Sequence, residues 1–470
     1  MSANEQLDGA QIRAILDKQR AAYLGNEPWT AEQRIELIDR AIGLLVDHEN
    51  ELLEALSADF GHRSKDFSRV YDVLSPLMSL KYAKSQLTQW MTAESRQTER
   101  GEAWVQYQPL GVVGIVTAWN FPANMVFNGL AGALAAGNRV MIKVSEFNPN
   151  TSELLARMFR SVYSDDEVVV ITGGPDVGQT FCSQPFDHLM FTGASSIGKQ
   201  VMRAAAENLV PVTLELGGKS PTIVSRSADL RAAVTKIMTA KLHNAGQICL
   251  APDYVLVPEE LQDEFIAVAK EVVVTLFPTL KDNPDYTSVV NARHFERLQD
   301  YLTEAREANV ELIELNPANE DFSDQLHHKI VPTLMRNPGD ELQVMQDELF
   351  GPLLPIKPYA SIHEALAFIN ARPRPLGLYY FGNDAVEEQL VLNRTCSGGV
   401  TINDVLRHAG VETLPFGGVG ASGMGAYHGQ AGFRTFSHAK AVYRTVDSPD
   451  LMRPPYVEPM RQFVGSLIKR

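Results

Sequence analysis

Cysteine is scarce in this chain: Cys182, Cys249 and Cys396 are the only three among 470 residues. An odd three cannot build a disulfide framework. That fits a reducing compartment and a cytoplasmic protein, and raises the question of whether one of them is a working thiol. Basic charge is also short. Against 57 acidic residues stand 42 basic ones, a net charge of −15, so nothing draws the chain to phosphate backbones or anionic lipid. Nucleic-acid and membrane partners are therefore not expected. Metal-ligand spacing is missing too: there is no C-x-x-C or H-E-x-x-H, and the adjacent His327-His328 pair would point to opposite faces of a strand. No metal is expected. The N-terminal stretch is charged throughout and has no apolar run of the secretory kind.

What is present is ordinary for a folded chain: 45% apolar and 21% charged residues, with length for about two to four structural units. A charge-free stretch runs for 29 residues from Leu110 to Asn138. It holds Asn120, Pro122, Asn124, Asn128 and five glycines, which would leave amides unsatisfied in hydrocarbon. It reads instead as a buried strand (Gly111–Ala118), a polar loop (Trp119–Pro122) and a buried helix (Ala123–Ala136). Helical periodicity covers residues 10–60 and 66–98. Further strands follow at Arg139–Lys143, Val168–Thr172, His188–Thr192 and Pro211–Leu216, with helices Thr151–Val162, Val177–Cys182 and Ser196–Glu207 between them. Five strands joined by helices predict a mostly parallel, doubly wound α/β sheet. A second series begins with Thr222–Val224, helix Asp229–Ala245, strand Tyr254–Val257 and helix Glu260–Thr275. The C-terminal part is rich in glycine and short strands (Gly398–Ile402, Ala441–Thr445).

Several segments carry candidate chemistry. The turn Gly193-Ala-Ser-Ser-Ile-Gly198-Lys199-Gln200 falls one residue short of an NTPase phosphate loop, because Gln200 lacks the hydroxyl that would hold magnesium. It remains a strand-to-helix turn able to offer amides to an anion, or an ordinary tight connection. A literal G-x-G-x-x-G at Gly418, Gly420 and Gly423 has no clear strand before it and no helix after it. A glycine loop packed against another part of the protein is the better reading. Lys143 and Glu146 fall at the end of a buried parallel strand, where they form either a ribose site or a surface ion pair. Cys249, between Gly246 and Pro252, is either an accessible thiol or a packed one. Glu215 closes an apolar strand, where poor solvation would raise its pKa toward that of a general base; the alternative is a paired structural acid. His243 lies six residues before Cys249, about 120° away on a continuous helix, so a local Cys–His dyad is not expected.

Seven runs stand in a telling order: Trp119-Asn-Phe-Pro122, Lys143-Val-Ser-Glu146, Phe191-Thr-Gly-Ala-Ser-Ser-Ile-Gly198, Leu214-Glu-Leu-Gly-Gly-Lys-Ser-Pro221, Gly246-Gln-Ile-Cys249, Glu348-Leu-Phe-Gly-Pro352 and Pro415-Phe-Gly-Gly418. Together they resemble the aldehyde dehydrogenase superfamily over nearly the whole chain. Ala58-Asp-Phe-Gly-His-Arg-Ser64, Asp282-Asn-Pro-Asp-Tyr286 and Gly423-Met-Gly-Ala-Tyr-His-Gly429 resemble its class 3-like branch. Two departures stand out: Ala118 where the superfamily often has Pro, and Ala194 where Ser is common. Loss of the second hydroxyl removes one phosphate contact that backbone amides and Ser195 or Ser196 would replace.

The resemblance implies an α/β, aldehyde dehydrogenase-like fold: a Rossmann-type cofactor domain (1–90 and 108–216), an α/β catalytic domain (217–415) and a small β oligomerisation element (91–107 and 425–470). It implies NAD(P)-dependent oxidation of an aldehyde, aromatic such as coniferyl aldehyde or else medium-chain aliphatic, to the free acid. Cys249 would be the nucleophile, Asn120 an oxyanion donor and Glu215 the base that activates water. Trp119, Lys143, Glu146, the turn of Gly193, Ala194, Ser195, Ser196, Ile197 and Gly198, then Leu216, Glu348 and Phe350 would bind NAD, with NADP as a second choice. Trp119, Phe121 and Tyr254 are candidate aromatic lining for the substrate or else core packing. A homodimer or homotetramer is implied as well. A cofactor-free cysteine esterase is the alternative of a different class.

Overall fold

In the computed structural model, residues 7–98, 101–445 and 454–468 are described. Parts of the segments expected to bridge subunits (99–100, 446–453 and 469–470) lie outside them, as do residues 1–6. The described residues make three sheets.

The first sheet has six strands in the order Gly423–Met424, Val212–Leu216, His188–Gly193, Val112–Val116, Arg139–Lys143 and Val168–Ile171. All pairs are parallel except the one made by Gly423–Met424. Its inner strands are apolar on both faces because helices cover both. One covering layer contains the buried helix Pro122–Ala136, and the other contains Ser195–Ala206. From Val112–Val116 the chain winds first to Arg139–Lys143 and Val168–Ile171, then crosses back to His188–Gly193 and Val212–Leu216. That reversal opens a crevice at the carboxyl ends of the strands.

The second sheet has seven strands: Glu311–Glu314, Thr333–Arg336, Leu353–Tyr359, Tyr254–Pro258, Pro221–Val224, Gly377–Phe381 and Gly399–Ile402, parallel except for the first. Separate apolar clusters fill its two faces. Ile248, Leu250 and Ala251 join the core of the first sheet instead, so the loop around Cys249 sits where the two sheets meet. The third sheet is antiparallel and largely solvent-facing: Glu94–Arg96, Glu102–Pro109 and Ser437–Arg444.

Several boundaries differ from the sequence reading, each for a local reason. The first parallel strand starts at Val112 because side chains take the amides before it. Asn138 Oδ1 accepts from Leu110 and Gly111, and Asp187 from Val112. The helix expected to reach Ala245 ends at Leu242, since Asn244 and Ala245 turn into the left-handed region. The helical stretch expected over 66–98 contains a π-helical segment, Arg69–Leu74, and ends at Trp90. His327 and His328 lie in a loop rather than a strand, and no cluster of three metal-ligating side chains occurs among the described residues. No described helix is long and apolar enough to cross a membrane.

Candidate active site

Glu215 is set by strand register. It pairs with Thr192 on one side and Gly423 on the other, and is only 2% exposed. Burial raises its pKa to about 7, and the neighbouring Cys249 thiol and Thr192 hydroxyl partly offset that rise. Its Oε1 is buried without a hydrogen-bond partner. The glycine loop dismissed as a dinucleotide fingerprint supplies the missing neighbour. Gly423 has φ of +137°, and a side chain there would overlap the Leu214 carbonyl. Leu216 N–H donates to the Ser422 carbonyl. The loop is thus the edge strand that closes the sheet over Glu215, a role its own local sequence does not announce.

Cys249 follows the left-handed pair Asn244–Ala245, which swings the chain back toward the first sheet. Its thiol is half-buried. Burial and the negative charges of Glu215 and Glu348 hold its pKa well above the ordinary thiol value, while its own backbone N–H favours the thiolate. Gln247 pins this loop. Its side chain donates to the carbonyls of Asn244 and Ser288 and accepts from the Val290 amide. The Gln247 carbonyl accepts from Asn120 Nδ2 at 3.1 Å, and Asn244 Nδ2 donates to the Asn120 carbonyl. Asn120, Glu215 and the Cys249 loop therefore come together from three separate parts of the chain. Gln247 and Asn244 had been given no role in the sequence reading. A fully polar, fully buried side chain cannot be told from a surface one by residue type alone.

His243 faces away from the thiol chemistry: its ring packs on Phe67 and Tyr71, and Nδ1 lies 3.4 Å from the Tyr71 hydroxyl. The absent dyad was expected, but for the wrong geometric reason, since the helix is not continuous to Cys249. Of the two readings offered for Tyr254, core packing is the one the fold shows. Tyr254 is buried in the core of the second sheet against Phe368 rather than lining the site. Phe121 packs on Phe67 and Tyr71.

The cofactor candidates fall along the crevice. Lys143 ends its strand, buried, with Nζ donating to the Val144 carbonyl at 2.6 Å, and Glu146 is exposed just beyond. The Ser195–Ala206 helix starts at Ala194 with no side-chain cap. Ser195 Oγ is already committed to the Ala421 carbonyl, so of the two serines expected to compensate for Ala194 only the exposed Ser196 has no protein partner among these contacts. Gly198 lies tight against Leu216. Ile197 is exposed at the mouth.

Glu348 sits over Gly217, where any side chain would overlap its carboxylate, and accepts from the Gly218 amide. Burial, with the charges of Asp253 and Glu215, pushes its pKa to about 8. It is held there indirectly, because Asp253 accepts from both Lys219 and the Leu349 amide. Phe350, in the left-handed region, meets Trp119 edge-on at 5.2 Å.

A half-buried thiol, a buried carboxylate with a pKa near 7 and an amide donor meet beside the crevice at the strand ends, and comparison with known proteins gives them a context. Residues 2–442 match the Aldehyde dehydrogenase family. The chain is 52% identical to the probable coniferyl aldehyde dehydrogenase of Caulobacter vibrioides, covering 98% of this chain and 97% of that one. It is 49% identical to the coniferyl aldehyde dehydrogenase of Pseudomonas sp. strain HR199, covering 97% and 96%. The crystal structure of the Mycobacterium tuberculosis aldehyde dehydrogenase complexed with NAD+ superposes with a TM-score of 0.85 at 27% identity, covering 94% and 92%. This chain belongs to the aldehyde dehydrogenase family.

Proposed function

We propose that this enzyme oxidises an aromatic aldehyde, with coniferyl aldehyde as type substrate, to the free carboxylic acid with NAD, through a covalent thioester on Cys249. The observation that carries the reading is the buried Glu215 carboxylate set close enough to the Cys249 thiol for each to shift the other's pKa, with Asn120 bonded to the same loop. Relatives named coniferyl aldehyde dehydrogenase at 49–52% identity support the substrate, and the NAD-complexed relative supports the cofactor.

In the acylation half, Glu215 takes the thiol proton and Cys249 sulfur bonds to the aldehyde carbon. The carbonyl oxygen becomes an oxyanion held by the Cys249 backbone N–H and the second N–H of the Asn120 amide, the first being committed to Gln247. Such a donor contributes about 10²–10³ in rate. NAD, when bound, supplies the hydride acceptor that leaves the carbon at the oxidation level of a thioester. Glu215 then gives up the thiol's proton to solvent. In the deacylation half its carboxylate takes a proton from water, the hydroxide adds to the thioester carbon, and the Cys249–carbon bond breaks, the leaving thiolate recovering that proton from Glu215 to give acid and thiol.

The residues present fit NAD. Lys143 and the exposed Glu146 stand where a ribose would lie, and the latter carboxylate suits a free 2′-hydroxyl and repels a 2′-phosphate. The uncapped amides before Ile197 suit a pyrophosphate. Glu348, with a buried Oε1 lacking a partner, suits the second ribose, beside Phe350. The exposed edge strand Ser437–Arg444 supports assembly into a dimer or tetramer of a cytoplasmic enzyme. The test is a panel of coniferaldehyde, benzaldehydes and medium-chain and short aliphatic aldehydes, each with NAD and with NADP. The highest kcat/KM is expected for coniferaldehyde with NAD. Turnover of esters alone, with no cofactor requirement for aldehydes, would replace this reading with a cysteine esterase.

A further inference from the structure

Arg63 and Asp72 form an ion pair with no exposed side-chain surface, Arg63 Nη2 donating to Asp72 Oδ2 at 2.7 Å. Isolating two charges from water is costly, and such a pair seldom adds net stability over apolar side chains of the same size. Its surroundings suggest what it does instead. The helix Pro122–Ala136 begins directly after the Trp119-Asn120-Phe121 loop, and its own N-cap residue, Phe121, has no side-chain oxygen to cap the first amides. Asp72 Oδ1 does so from another helix, accepting from Ala123 and Asn124 at 3.1 Å each. The π-helical turn Arg69–Leu74 carries Asp72, and the neighbouring Tyr71 carbonyl accepts from Asn124 Nδ2.

Arg63 grips the same loop from its aromatic side. Its guanidinium lies 4.8 Å from the Phe60 ring centre and 5.3 Å from that of Phe121, and Phe60 in turn packs on Trp119 at 6.2 Å. Asn120 is therefore flanked by two residues that Arg63 and its partner ring hold, and is followed within four residues by two amides that Asp72 holds. Two of Arg63's three guanidinium nitrogens have no hydrogen-bond partner within the protein, and the guanidinium lies over the Phe60, Phe67 and Phe121 rings.

We propose that the Arg63–Asp72 pair is a positioning device for Asn120, fixing the loop so that its side-chain amide points at the oxyanion formed on the Cys249 adduct. The proposal rests on the oxyanion role assigned to Asn120 above. The experiment is a double-mutant cycle on single-turnover NADH formation with NAD and coniferaldehyde, using the full-length enzyme. The variant Arg63→Met/Asp72→Leu replaces the pair with apolar side chains that often leave stability intact.

In the wild-type background it should slow acylation by about 10–10²-fold, the scale of a small misplacement of a reacting group, with NAD affinity unchanged. In an Asn120→Ala background, itself slowed by about 10²–10³-fold, the same change should cost less than twofold. Asp72→Asn, whose amide oxygen still accepts from both helix amides, should recover most of the rate. Multiplicative losses in the two backgrounds, or wild-type acylation without the pair, would overturn the proposal. If the apolar variant does not fold, Arg63→Lys, which keeps the charge but not the planar fork, is read in the same two backgrounds by the same criterion. Unchanged acylation in Asn120→Ala alone would instead remove the oxyanion assignment, and the proposal with it.

Discussion

Burial and the charges of Glu215 and Glu348 raise the pKa of the Cys249 thiol, so in the proposed mechanism it attacks only once Glu215 accepts its proton. Cys249→Ala should abolish aldehyde-dependent NADH formation while leaving NAD binding intact, as read by fluorescence titration. Glu215 must be ionised to act on water. With its pKa near 7, thioester hydrolysis should rise with pH through about 7 and level off above it. Glu215→Gln should slow that step by about 10²–10⁴-fold, flatten the profile and accumulate thioester visible in intact-protein mass spectrometry.

Burial of the two carboxylates also has a stability cost of defined sign. Glu215 and Glu348 have folded pKa values of about 7 and about 8 against an ordinary 4.5. The folded chain therefore holds more protons than the unfolded one over that window, and stability falls as pH rises through it. Glu348→Gln should raise the Tm at pH 8 more than at pH 5 while weakening turnover. An equal shift at both values would refute this account.

At the scale of elements, the parallel strands of the first sheet were legible because buried parallel strands read as unbroken apolar runs, as in Arg139–Lys143 and His188–Gly193. Their ends were less so. Asn138 captures the Leu110 and Gly111 amides and Asp187 that of Val112, both from far along the chain, a tertiary effect that no local pattern carries. The same limit hid the Gly423–Met424 strand: two residues with no side-chain alternation give no strand signal, and their pairing with Glu215 is fixed by what they touch. The left-handed turn at Asn244–Ala245 was missed although Asn244 and Gly246 are types that favour it, because the helical periodicity of the preceding residues was carried on through them. Gly423→Ala should therefore act at a distance in sequence. A side chain forced into that backbone region and against Leu214 should cost roughly 1–3 kcal/mol, lowering the Tm. It should also reduce hydrolysis of the thioester more than its formation.

Across the whole molecule, the residues proposed for catalysis stood out by their motifs, while the buried polar groups packed around them (Gln247, Asn244, Arg63 and Asp72) were given no role, since burial is what sets them apart. The three thiols illustrate the point. Cys182 is buried among apolar side chains, its pKa raised to about 12, whereas Cys396 is exposed. Alkylation followed by peptide mass mapping should label Cys396 readily and leave Cys182 untouched in the native protein. Rapid labelling of Cys182 would mean that the first sheet opens. A cofactor lying in the crevice between the sheets should also stabilise the chain by mass action, about 2.7 kcal/mol at a hundredfold excess over Kd. A thermal shift with NAD but none with NADP would match the exposed Glu146.

The edge strand has one more consequence, and it concerns synthesis. Glu215 is completed on one side by Gly423, made 208 residues later on the ribosome. Until that glycine loop has emerged and folded back, the nascent chain can display Cys249 without the finished base beside it. The order of translation thus places the closing of the sheet edge beside Glu215 after every other strand of that sheet has been made.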